Sequence, residues 1–346
     1  MKISTRERVL GCLLGGACGD ALGAPFEFSS HAEMIIKCGP RGVQEFWPRY
    51  ETLARVTDET QLILFTVAGL IESRRDKSLS EVEHLHVAYL AWLSTQGIAS
   101  PLLPDFQNSY EALIDVIAAH GDRVPNAETM AALSEAKELG RSAGIVAPGN
   151  GAVARAAPFG LLYSATPQRA YHAAVADARL THDDPRGYIA AGAFAMMIAW
   201  VMKGHTIAMA VERSLMFLRL QSGHEPTLHA VMNAPWKWSD FFQRPEWIGF
   251  GWTADDALAI TVNAVLTTNS LHDAVAAAAN HNGDSDTTAS MAGNLAGALY
   301  GARAVPGQWL EKVELRKEII SSARLLCSYI AECSRCFSHD ELHPGI

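Results

Sequence analysis

The sequence predicts an all-α protein, and three observations support that fold class. Apolar residues recur at helical spacing along most of the 346-residue chain. Stretches that alternate apolar and polar residues, as half-buried strands do, are hard to find. Glycine and proline concentrate in the segments that connect the apolar stretches. Because no low-complexity linker or change of composition divides the chain, we expect one domain over residues 1–346.

The first predicted helix is the apolar, glycine-rich stretch near the N-terminus. Lys2 and Arg6 precede it, as basic residues precede the apolar core of a secretory signal. Glu7 lies within that basic region, however, and Asp20 closes the apolar run. A cleaved signal also has no reason to keep the regular glycine spacing of this stretch, so we expect a buried helix.

Helical spacing predicts nine further helices along the chain. They cover residues 61–73, 79–95, 127–138, 186–202, 206–220, 254–268, 271–279, 287–302 and 310–333. The connections between them carry most of the turn residues, and the longest are 31–50, 94–110 and 233–252. The uncharged stretch 187–202 is shorter than the roughly 18 to 20 apolar residues that span a bilayer, so we expect a buried helix there too.

Two of the helices carry small residues at every fourth position. Residues four apart lie on one face of a helix, so each stripe lets another backbone approach closely. Glycine costs a helix interior about 1 kcal/mol relative to alanine, and tight packing must offset that cost. We therefore expect both helices at the centre of the molecule. The stripes are Gly11, Gly15, Gly19 and Gly23 in the first helix, and Ala289, Gly293, Gly297 and Gly301 in the later one.

The charge and the cysteine content exclude two classes of protein. With 28 lysines and arginines against 37 aspartates and glutamates, the formal net charge is −9, which leaves no positive footprint for a nucleic acid backbone. Six cysteines in a chain of this length are too few for a disulfide framework. We expect reduced thiols and a cytoplasmic protein, with neither a nucleic acid nor a membrane as its partner.

The most informative segments lie where two predicted helices begin. Each combines two carboxylates with at least one hydroxyl within a few residues, and all of these groups are hard oxygen ligands. Each segment by itself is also what an ordinary helix N-cap looks like. The first comprises Thr57, Asp58 and Glu59, and the second comprises Asp284, Asp286 and Thr287.

Taken together, the two segments predict a metal site. The backbone is still turning at a helix start, so neighbouring side chains can converge there, which they cannot do in mid-helix. If the two segments faced each other, four carboxylates would lie close together, and bound divalent cations would make that arrangement tolerable. The expected ion is Mg²⁺, with Mn²⁺ as a substitute. No cysteine and histidine set with zinc spacing accompanies the two segments.

The sequence resembles the ADP-ribosylglycohydrolase family, typified by the glycohydrolase that activates dinitrogenase reductase. The resemblance covers roughly residues 6–313 and leaves a C-terminal helix and tail at 314–346. The segments that carry it occur in the family's order. They are GCLLGGACGDALGAPFEF, TDETQ, APGNGAVARAAPFGLL, LTHDDPRGYIAAGAF, GWTADDALAITVNAVL and HNGDSDTTASMAGNLAGALYGARAVPGQW.

The resemblance implies an all-α hydrolase with a binuclear Mg²⁺ or Mn²⁺ centre. Such an enzyme cleaves the glycosidic bond between ADP-ribose and a protein side chain, commonly arginine or serine. The expected partner is therefore an ADP-ribosylated protein. By position, the acidic segments 57–59 and 284–287 match the family's metal ligands. Glu59 departs from the family, which usually has aspartate there, and lengthens one ligand by a methylene.

The resemblance also assigns residues beyond the metal ligands. Glu27 matches an acidic loop residue of the active site and is the candidate catalytic group for moving protons. Gly149, Asn150 and Gly151 match a glycine-rich loop whose backbone N–H groups can approach a pyrophosphate. His182 matches a histidine near the ligand. By themselves, these residues look like a solvated carboxylate, a turn and an exposed histidine.

Two other metal sites are alternatives to the acidic one. Histidine–aspartate pairs at 182–183, 272–273 and 339–340 suit a metal-dependent phosphohydrolase of the HD type, in which histidines are ligands. A zinc site in the C-terminal region would use three cysteines and one histidine. Its residues would be Cys327, Cys333, Cys336 and His339.

A third alternative is a binding protein on the glycohydrolase fold. It would bind ADP-ribose, or plug an ADP-ribosyltransferase toxin as an immunity protein does, with little or no turnover. Glu59 is the feature of the predicted metal site that suits this alternative. The tryptophan-rich segment 234–252 offers a contact surface for such a partner.

Overall fold

The computed structural model describes residues 3–48, 51–103, 107–119, 123, 125–234 and 249–330. Within those ranges the chain is helical, with no β-strand and with two isolated bridges, Ala54 to Val313 and Gly149 to Thr253. The all-α prediction is confirmed. The extent of the domain, 1–346, stays a prediction.

The α-helices are numbered in chain order, and two short 3-10 turns follow α1 and α15. They are α1 (Thr5–Gly23), α2 (His31–Cys38), α3 (Asp58–Arg75), α4 (Glu81–Thr95), α5 (Gln107–Ala118), α6 (Ala127–Ser134), α7 (Gly151–Ala154), α8 (Ala157–Leu162), α9 (Pro167–Ala178), α10 (Pro185–Met202), α11 (Ile207–Leu218), α12 (Glu225–Asn233), α13 (Ala254–Thr267), α14 (Leu271–Ala279), α15 (Ser285–Tyr300), α16 (Gly307–Lys312) and α17 (Arg316–Tyr329).

Helices α1 and α15 pack antiparallel through the two glycine stripes. A Cβ atom added to Gly11 would lie 2.4 Å from the carbonyl oxygen of Gly297, and one added to Gly23 would lie 2.2 Å from that of Ser285. Real Cβ atoms essentially never approach closer than 3.0 Å, so the close packing predicted from the stripes is confirmed. The same register brings the C-terminal end of α1 to the N-terminal end of α15.

Helix α10 is a second long apolar helix in the core, where it packs against α8, α9, α11 and α13. By length and composition, Thr5–Phe26 and Pro185–Met202 are each apolar enough to cross a membrane, but 83% and 78% of their apolar windows are buried inside the protein. A helix that is hydrophobic on all sides suits the centre of a large core. Burial therefore accounts for the composition of both helices.

The prediction of one continuous helix over 310–333 was wrong. Helix α16 ends at Lys312, and α17 begins at Arg316, after Leu315 adopts a left-handed conformation with φ 56°. The break allows the chain to pair with a distant segment, because the Ala54 N–H donates to the Lys312 carbonyl and the Glu314 N–H donates to the Ala54 carbonyl. A tertiary contact therefore interrupts a pattern that is helical on either side.

The prediction that 31–50 is only a connection was also wrong, because it contains α2. A capping box between Ser30 and Glu33 starts this helix, and that Ser-x-x-Glu signal is visible in the sequence. Sequence periodicity also missed α5, α7, α8, α9 and α12. Three of these have proline at the first or second helical position, where it favours a helix start but resembles a turn signal.

The described cysteines, Cys12, Cys18, Cys38 and Cys327, are all free thiols, as the sequence predicts. Cys333, Cys336 and His339 lie outside the described residues, so the alternative zinc site of the C-terminal region is not tested. Residues 235–248 of the tryptophan-rich segment also lie outside them.

Candidate active site

A buried carboxylate of α1 holds the start of α3. Asp20 accepts hydrogen bonds from the backbone N–H groups of Thr57 at 3.0 Å and Thr60 at 3.1 Å. It also accepts from the hydroxyls of Thr57 at 2.8 Å and Thr60 at 2.5 Å. The first N–H groups of a helix have no partner within the helix, and Asp20 supplies one. Because its proton is committed to Asp20, the Thr57 hydroxyl faces other groups as an acceptor.

Four buried carboxylates meet where α3 and α15 begin, and we call them the acidic cluster. They are Asp58, Glu59, Asp284 and Asp286, each 4–5% exposed. Burial raises the pKa of all four, to about 7 for Asp58 and well above the ordinary value for Glu59 and Asp286. The negative charges of neighbouring carboxylates add to the effect of burial for those three. The two acidic segments predicted from sequence therefore do face each other.

Hydrogen bonds tie the acidic cluster together across the two helices. The Thr287 hydroxyl of α15 donates to Oε1 of Glu59 at 2.6 Å, so the long side chain of Glu59 spans from α3 to α15. Asp284 accepts from the Thr287 N–H at 3.2 Å and is the N-cap of α15, while Thr57 is the N-cap of α3. The capping interpretation is thus also confirmed, and it coexists with the convergence of carboxylates.

Within the described part of the chain, no basic side chain pairs with the acidic cluster. None of the ion pairs among the described residues includes any of its four carboxylates. Oε2 of Glu59 is buried and has no hydrogen-bond partner. The contact between the Asp284 and Asp286 side chains acts to raise the pKa of Asp286 and to lower that of Asp284. An unpaired oxygen among buried carboxylates is the environment that a cation stabilises.

The chemistry of these donors fits a hard divalent cation. Carboxylate and hydroxyl oxygens are the ligands that Mg²⁺ and Mn²⁺ prefer. No group of three His, Cys, Asp or Glu side chains in the described part of the chain is already arranged around one point. The reason is visible in the hydrogen bonds, because the carboxylates are directed at one another and at neighbouring N–H and hydroxyl groups. The predicted ligands are brought together, and metal binding stays a prediction.

Glu27 lies beside the acidic cluster, just after the 3-10 turn Ala24–Phe26 that extends α1. It is half-buried, and its pKa is raised to about 8 by burial and then by the charges of Asp284, Asp58 and Asp20. The structure therefore brings the predicted catalytic carboxylate together with the predicted metal ligands. Its pKa near neutrality is suited to a group that gains and loses a proton during a reaction.

The predicted ligand loop is connected to the acidic cluster through Asn150. The Asn150 amide donates to Oδ2 of Asp284 at 2.6 Å and to the Gly251 carbonyl at 2.7 Å, and the side chain is buried. A Cβ atom on Gly149 would lie 1.7 Å from Oε2 of Glu128. Glu128 therefore lies directly against the backbone of this loop. Contact between this loop and a pyrophosphate stays a prediction.

His182 is fully buried, not exposed. Its Nδ1 lies 2.8 Å from the Thr181 hydroxyl, and its Nε2 lies 3.3 Å from Oε2 of Glu128. Burial lowers the pKa of His182. Glu128 therefore lies between the His182 ring and Gly149 and contacts both. Its contact with a ligand stays a prediction.

The described histidine–aspartate pairs have partners that do not form a common metal site. Asp183 pairs with Arg179 at 2.9 Å. Asp273 accepts from the Ser270 hydroxyl at the start of α14, and His272 stacks on Trp309 with ring centroids 5.1 Å apart. These contacts favour structural roles, so among the described residues nothing supports the HD-type alternative. The pair at 339–340 lies outside the described residues.

Sequence reasoning missed three residues that shape the site. Asp20 is the one charged residue in the apolar run 9–23, and an isolated carboxylate in such a run is a signal for a buried polar contact. The Asn126 N–H donates to Oδ2 of Asp58 at 2.9 Å, and Glu128 lies between Gly149 and His182. No sequence signal indicates the last two, because they reach the site from a separate helix, α6.

Comparisons with known proteins identify the family of this chain. The family model for ADP-ribosylglycohydrolase matches residues 1–335. The ADP-ribosyl-[dinitrogen reductase] glycohydrolase of Rhodospirillum rubrum is 26% identical over 317 residues, which are 91% of this chain and 93% of that protein. The ADP-ribosylarginine hydrolase Tri1 of Serratia proteamaculans (strain 568) is 24% identical over 327 residues, which are 92% of this chain and 79% of that protein.

A solved structure, an ADP-ribosylglycohydrolase-related protein complex, has the same fold. Its TM-score is 0.61 at 24% sequence identity, and the match covers 93% of this chain and 97% of that chain. Since the family model extends over nearly the whole sequence, the chain belongs to the ADP-ribosylglycohydrolase family.

Proposed function

We propose that this protein hydrolyses the glycosidic bond between ADP-ribose and a modified protein side chain, of the arginine or serine type, and so reverses ADP-ribosylation. Membership of the family supports the reaction, and the names of the two relatives support a protein-linked substrate. The observation that carries the proposal is the meeting of the two acidic helix starts beside Glu27. Glycosidic bonds are commonly cleaved by carboxylates placed around the anomeric carbon, and the acidic cluster and Glu27 offer carboxylates for that role.

The proposal includes dependence on two Mg²⁺ ions, with Mn²⁺ as a substitute. When bound, such ions supply positive charge that orients hydroxyl groups and lowers the pKa of water. The unpaired Glu59 oxygen and the raised pKa values of the acidic cluster support this part of the proposal. The proposed ligands are Thr57, Asp58, Glu59, Asp284, Asp286 and Thr287.

The protein's own groups have separate roles in the proposed reaction. Cleavage at the anomeric carbon leaves positive charge on the ribose and negative charge on the leaving group. Water bonds to the ribose and gives up a proton, and the leaving group takes up a proton. Glu27 is half-buried and has a pKa of about 8, which allows its carboxyl to hold or release that proton near neutral pH. Asn150 orients Asp284, and Gly149 and Gly151 are proposed to face the ADP-ribose. The fully buried His182 is proposed to support that loop through Glu128.

The test is release of ADP-ribose from peptides modified on arginine or on serine, with Mg²⁺ and with excess chelator. We expect release with Mg²⁺ and none with the chelator. For carboxylate variants of the acidic cluster, such as Asp286→Asn, Asp183→Asn is the control. It also replaces a carboxylate, but Asp183 pairs with Arg179 outside the acidic cluster. Full release in chelator would overturn metal dependence. Tight binding of ADP-ribose without any release would favour the immunity-protein alternative and would direct a search for a toxin partner.

We also propose a cytoplasmic location. The free thiols of Cys12, Cys18, Cys38 and Cys327 support it, because cysteines stay reduced in that compartment. Fractionation of cells that produce the full chain tests this location, and recovery from a membrane or secreted fraction would contradict it.

A further inference from the structure

A fully buried arginine lies behind the predicted ligand loop. Arg155 is the C-cap of the short helix α7, which begins at Gly151, and its side chain is 0% exposed. Its Nε donates to Oδ2 of Asp177 at 3.1 Å, and its guanidinium lies 4.5 Å from the centroid of the Tyr89 ring. The Tyr89 hydroxyl donates to the other carboxylate oxygen of Asp177 at 2.7 Å. Residues of α4 and α9 therefore fix the guanidinium in the core.

Arg155 holds one end of the loop directly. Its Nη1 donates to the Gly151 carbonyl at 3.3 Å. A helix as short as α7 is marginal by itself, because helix nucleation is costly and few hydrogen bonds follow it. The contact with Gly151 therefore connects the start of α7, where the loop ends, to a fixed point in the core.

A second contact of Arg155 leads toward the other end of the loop. Its Nη2 donates to the Thr181 hydroxyl oxygen at 2.9 Å. That hydroxyl lies 2.8 Å from Nδ1 of His182 and 3.5 Å from the Ala178 carbonyl. If Nδ1 carried a proton, Thr181 would accept twice and would keep only the longer contact for its own proton. The shorter contact therefore indicates that Thr181 donates to Nδ1.

This direction of the hydrogen bond determines the tautomer of His182. Burial lowers the pKa of His182, so the ring is neutral near neutral pH and carries one N–H. With Nδ1 as an acceptor, the proton lies on Nε2, which is 3.3 Å from Oε2 of Glu128. Both of these atoms are buried, and neither has a further hydrogen-bond partner among the described residues. The same Glu128 oxygen lies against the backbone of Gly149, at the other end of the loop.

Both ends of the loop 149–151 are thus connected to one guanidinium. Between them, the Asn150 amide donates to Asp284 of the acidic cluster. The position of the loop therefore sets this contact and the direction of the backbone N–H groups that are proposed to face the ADP-ribose. A buried ion pair contributes little net stability compared with packed apolar side chains, so orientation is the role that suits Arg155 and Asp177.

We propose that Arg155 is a positioning residue, which holds the ligand loop in place for ADP-ribose at both ends. It acts on Gly151 directly. It acts on Gly149 through the Thr181 hydroxyl and the Nε2–H tautomer of His182. This inference rests on the proposed function, because it assigns what keeps the substrate-binding loop in place. Changes at Arg155 or Thr181 therefore affect binding of the ADP-ribose more than cleavage of the bond.

The experiment changes this chain of contacts in three variants of the full chain. Arg155→Ala would leave Asp177 unpaired in the core and destabilise the fold, so Arg155→Lys is used. Lysine keeps a positive charge but lacks the planar fork that reaches several acceptors at once. Thr181→Val removes the hydroxyl at nearly constant volume, and Thr181→Ser restores it. Thr227→Val is the matched control, because Thr227 is also fully buried and its helix α12 supplies no residue to the site.

The measurements separate the tautomer, the binding of ligand and the turnover. NMR of protein with ¹⁵N-labelled histidine shows which ring nitrogen of His182 carries the proton, and His182→Gln assigns its signals. Calorimetry with Mg²⁺ gives the affinity for free ADP-ribose. Release assays on a modified peptide give KM and kcat, and melting curves establish that each variant is folded.

We expect the His182 proton on Nε2 in the wild-type protein. In Thr181→Val, the Nδ1 signal should move toward that of an imidazole nitrogen that accepts no hydrogen bond. Affinity for ADP-ribose should fall and KM should rise by about fivefold, which corresponds to one hydrogen bond, while kcat stays within about twofold. Arg155→Lys should give a larger loss in the same direction. Thr181→Ser and Thr227→Val should stay within about twofold of wild type.

Three outcomes would overturn the inference. A His182 proton on Nδ1 in the wild type would show that the hydrogen bond with Thr181 runs in the opposite direction. Wild-type affinity for ADP-ribose in both folded variants, Arg155→Lys and Thr181→Val, would show that the loop keeps its position without these contacts. A loss confined to kcat would place their effect on bond cleavage. A wild-type protein that binds ADP-ribose but releases none from the peptide is a different result, because it refutes the proposed function while the affinity and NMR comparisons still test Arg155.

Discussion

The antiparallel contact between α1 and α15 gives the sharpest prediction, because two physical effects of opposite sign meet at Gly297. Replacing an interior helical glycine with alanine ordinarily stabilises a helix by about 1 kcal/mol. In this protein, a Cβ atom on Gly297 would lie 1.9 Å from the Gly11 carbonyl oxygen, and real Cβ contacts are not shorter than 3.0 Å. The two backbones would have to separate by about 1.1 Å at that point.

In Gly297→Ala, the steric cost of the new contact should exceed the gain in helix propensity. The atom that the new methyl group meets is a backbone oxygen, which no side-chain rotation can move aside. Overpacking a core costs about 1–3 kcal/mol and occasionally more, and a rigid backbone contact belongs at the upper end of that range. After the helix-propensity gain is subtracted, we expect the free energy of unfolding to fall by about 2 kcal/mol.

Denaturant unfolding followed by circular dichroism measures this change, with Gly307→Ala as the matched control. A Cβ atom on Gly307 would meet nothing within 4 Å, so propensity acts there without a clash. We expect that variant to be as stable as wild type or slightly more stable. If Gly297→Ala were also as stable as wild type, the two helices could not pack as closely as their glycine stripes suggest, and the register that aligns the acidic cluster would be refuted.

Three further predictions concern the site. Asp286→Asn should lower Mg²⁺ affinity and turnover by orders of magnitude, because it removes the negative charge of a proposed ligand. It should also raise the melting temperature of the metal-free protein, because one of several mutually repelling carboxylates is gone. Calorimetric titration and melting with chelator measure both effects, and wild-type affinity and rate would leave Asp286 only a structural role. Asn150→Ala should lower the free energy of unfolding by about 2 kcal/mol, because Asp284 loses a buried hydrogen-bond donor at 2.6 Å. Denaturant unfolding measures this change, and an unchanged free energy of unfolding would show that water replaces the amide. In chelator, stability should fall as pH rises from about 7 to 9, which is above the range where the buried His86 and His281, with folded pKa values of about 4, contribute the opposite slope. The folded pKa values of Asp20 (about 6), Asp58 (about 7) and Glu27 (about 8) exceed the ordinary 3.8 to 4.5, so their stabilising contribution is complete below pH 4 and is lost as pH rises through the folded values. Melting curves across that range test the sign of the pH dependence of stability. Mg²⁺ should make that dependence weaker. Stability that rises with pH in chelator would contradict the raised pKa values.

The sequence could reveal the chemistry of the site because that chemistry is local. Thr57 to Glu59 and Asp284 to Thr287 each offer carboxylate and hydroxyl oxygens within four residues of one another, whatever the rest of the fold does. The all-α class could be predicted for the same reason, since each amphipathic or apolar helix shows its own periodicity. Where local signals were ambiguous, as in the proline-led helices and in the broken helix 310–333, the prediction failed.

Only the tertiary structure decided which local features meet. The glycine stripes predict that α1 and α15 are tightly packed, but a stripe does not name its partner, and the pairing of Gly11 with Gly297 follows from the whole fold. That antiparallel register carries Asp20 and Glu27 to the start of α15, where Asp20 also holds the start of α3 through Thr57. Sequence alone therefore determined which kinds of groups the site contains. The packing of the C-terminal end of α1 against the N-terminal ends of α3 and α15 determined that these groups share one buried, charge-rich space. Proximity between residues far apart in the chain depends on tertiary packing, which local sequence does not specify.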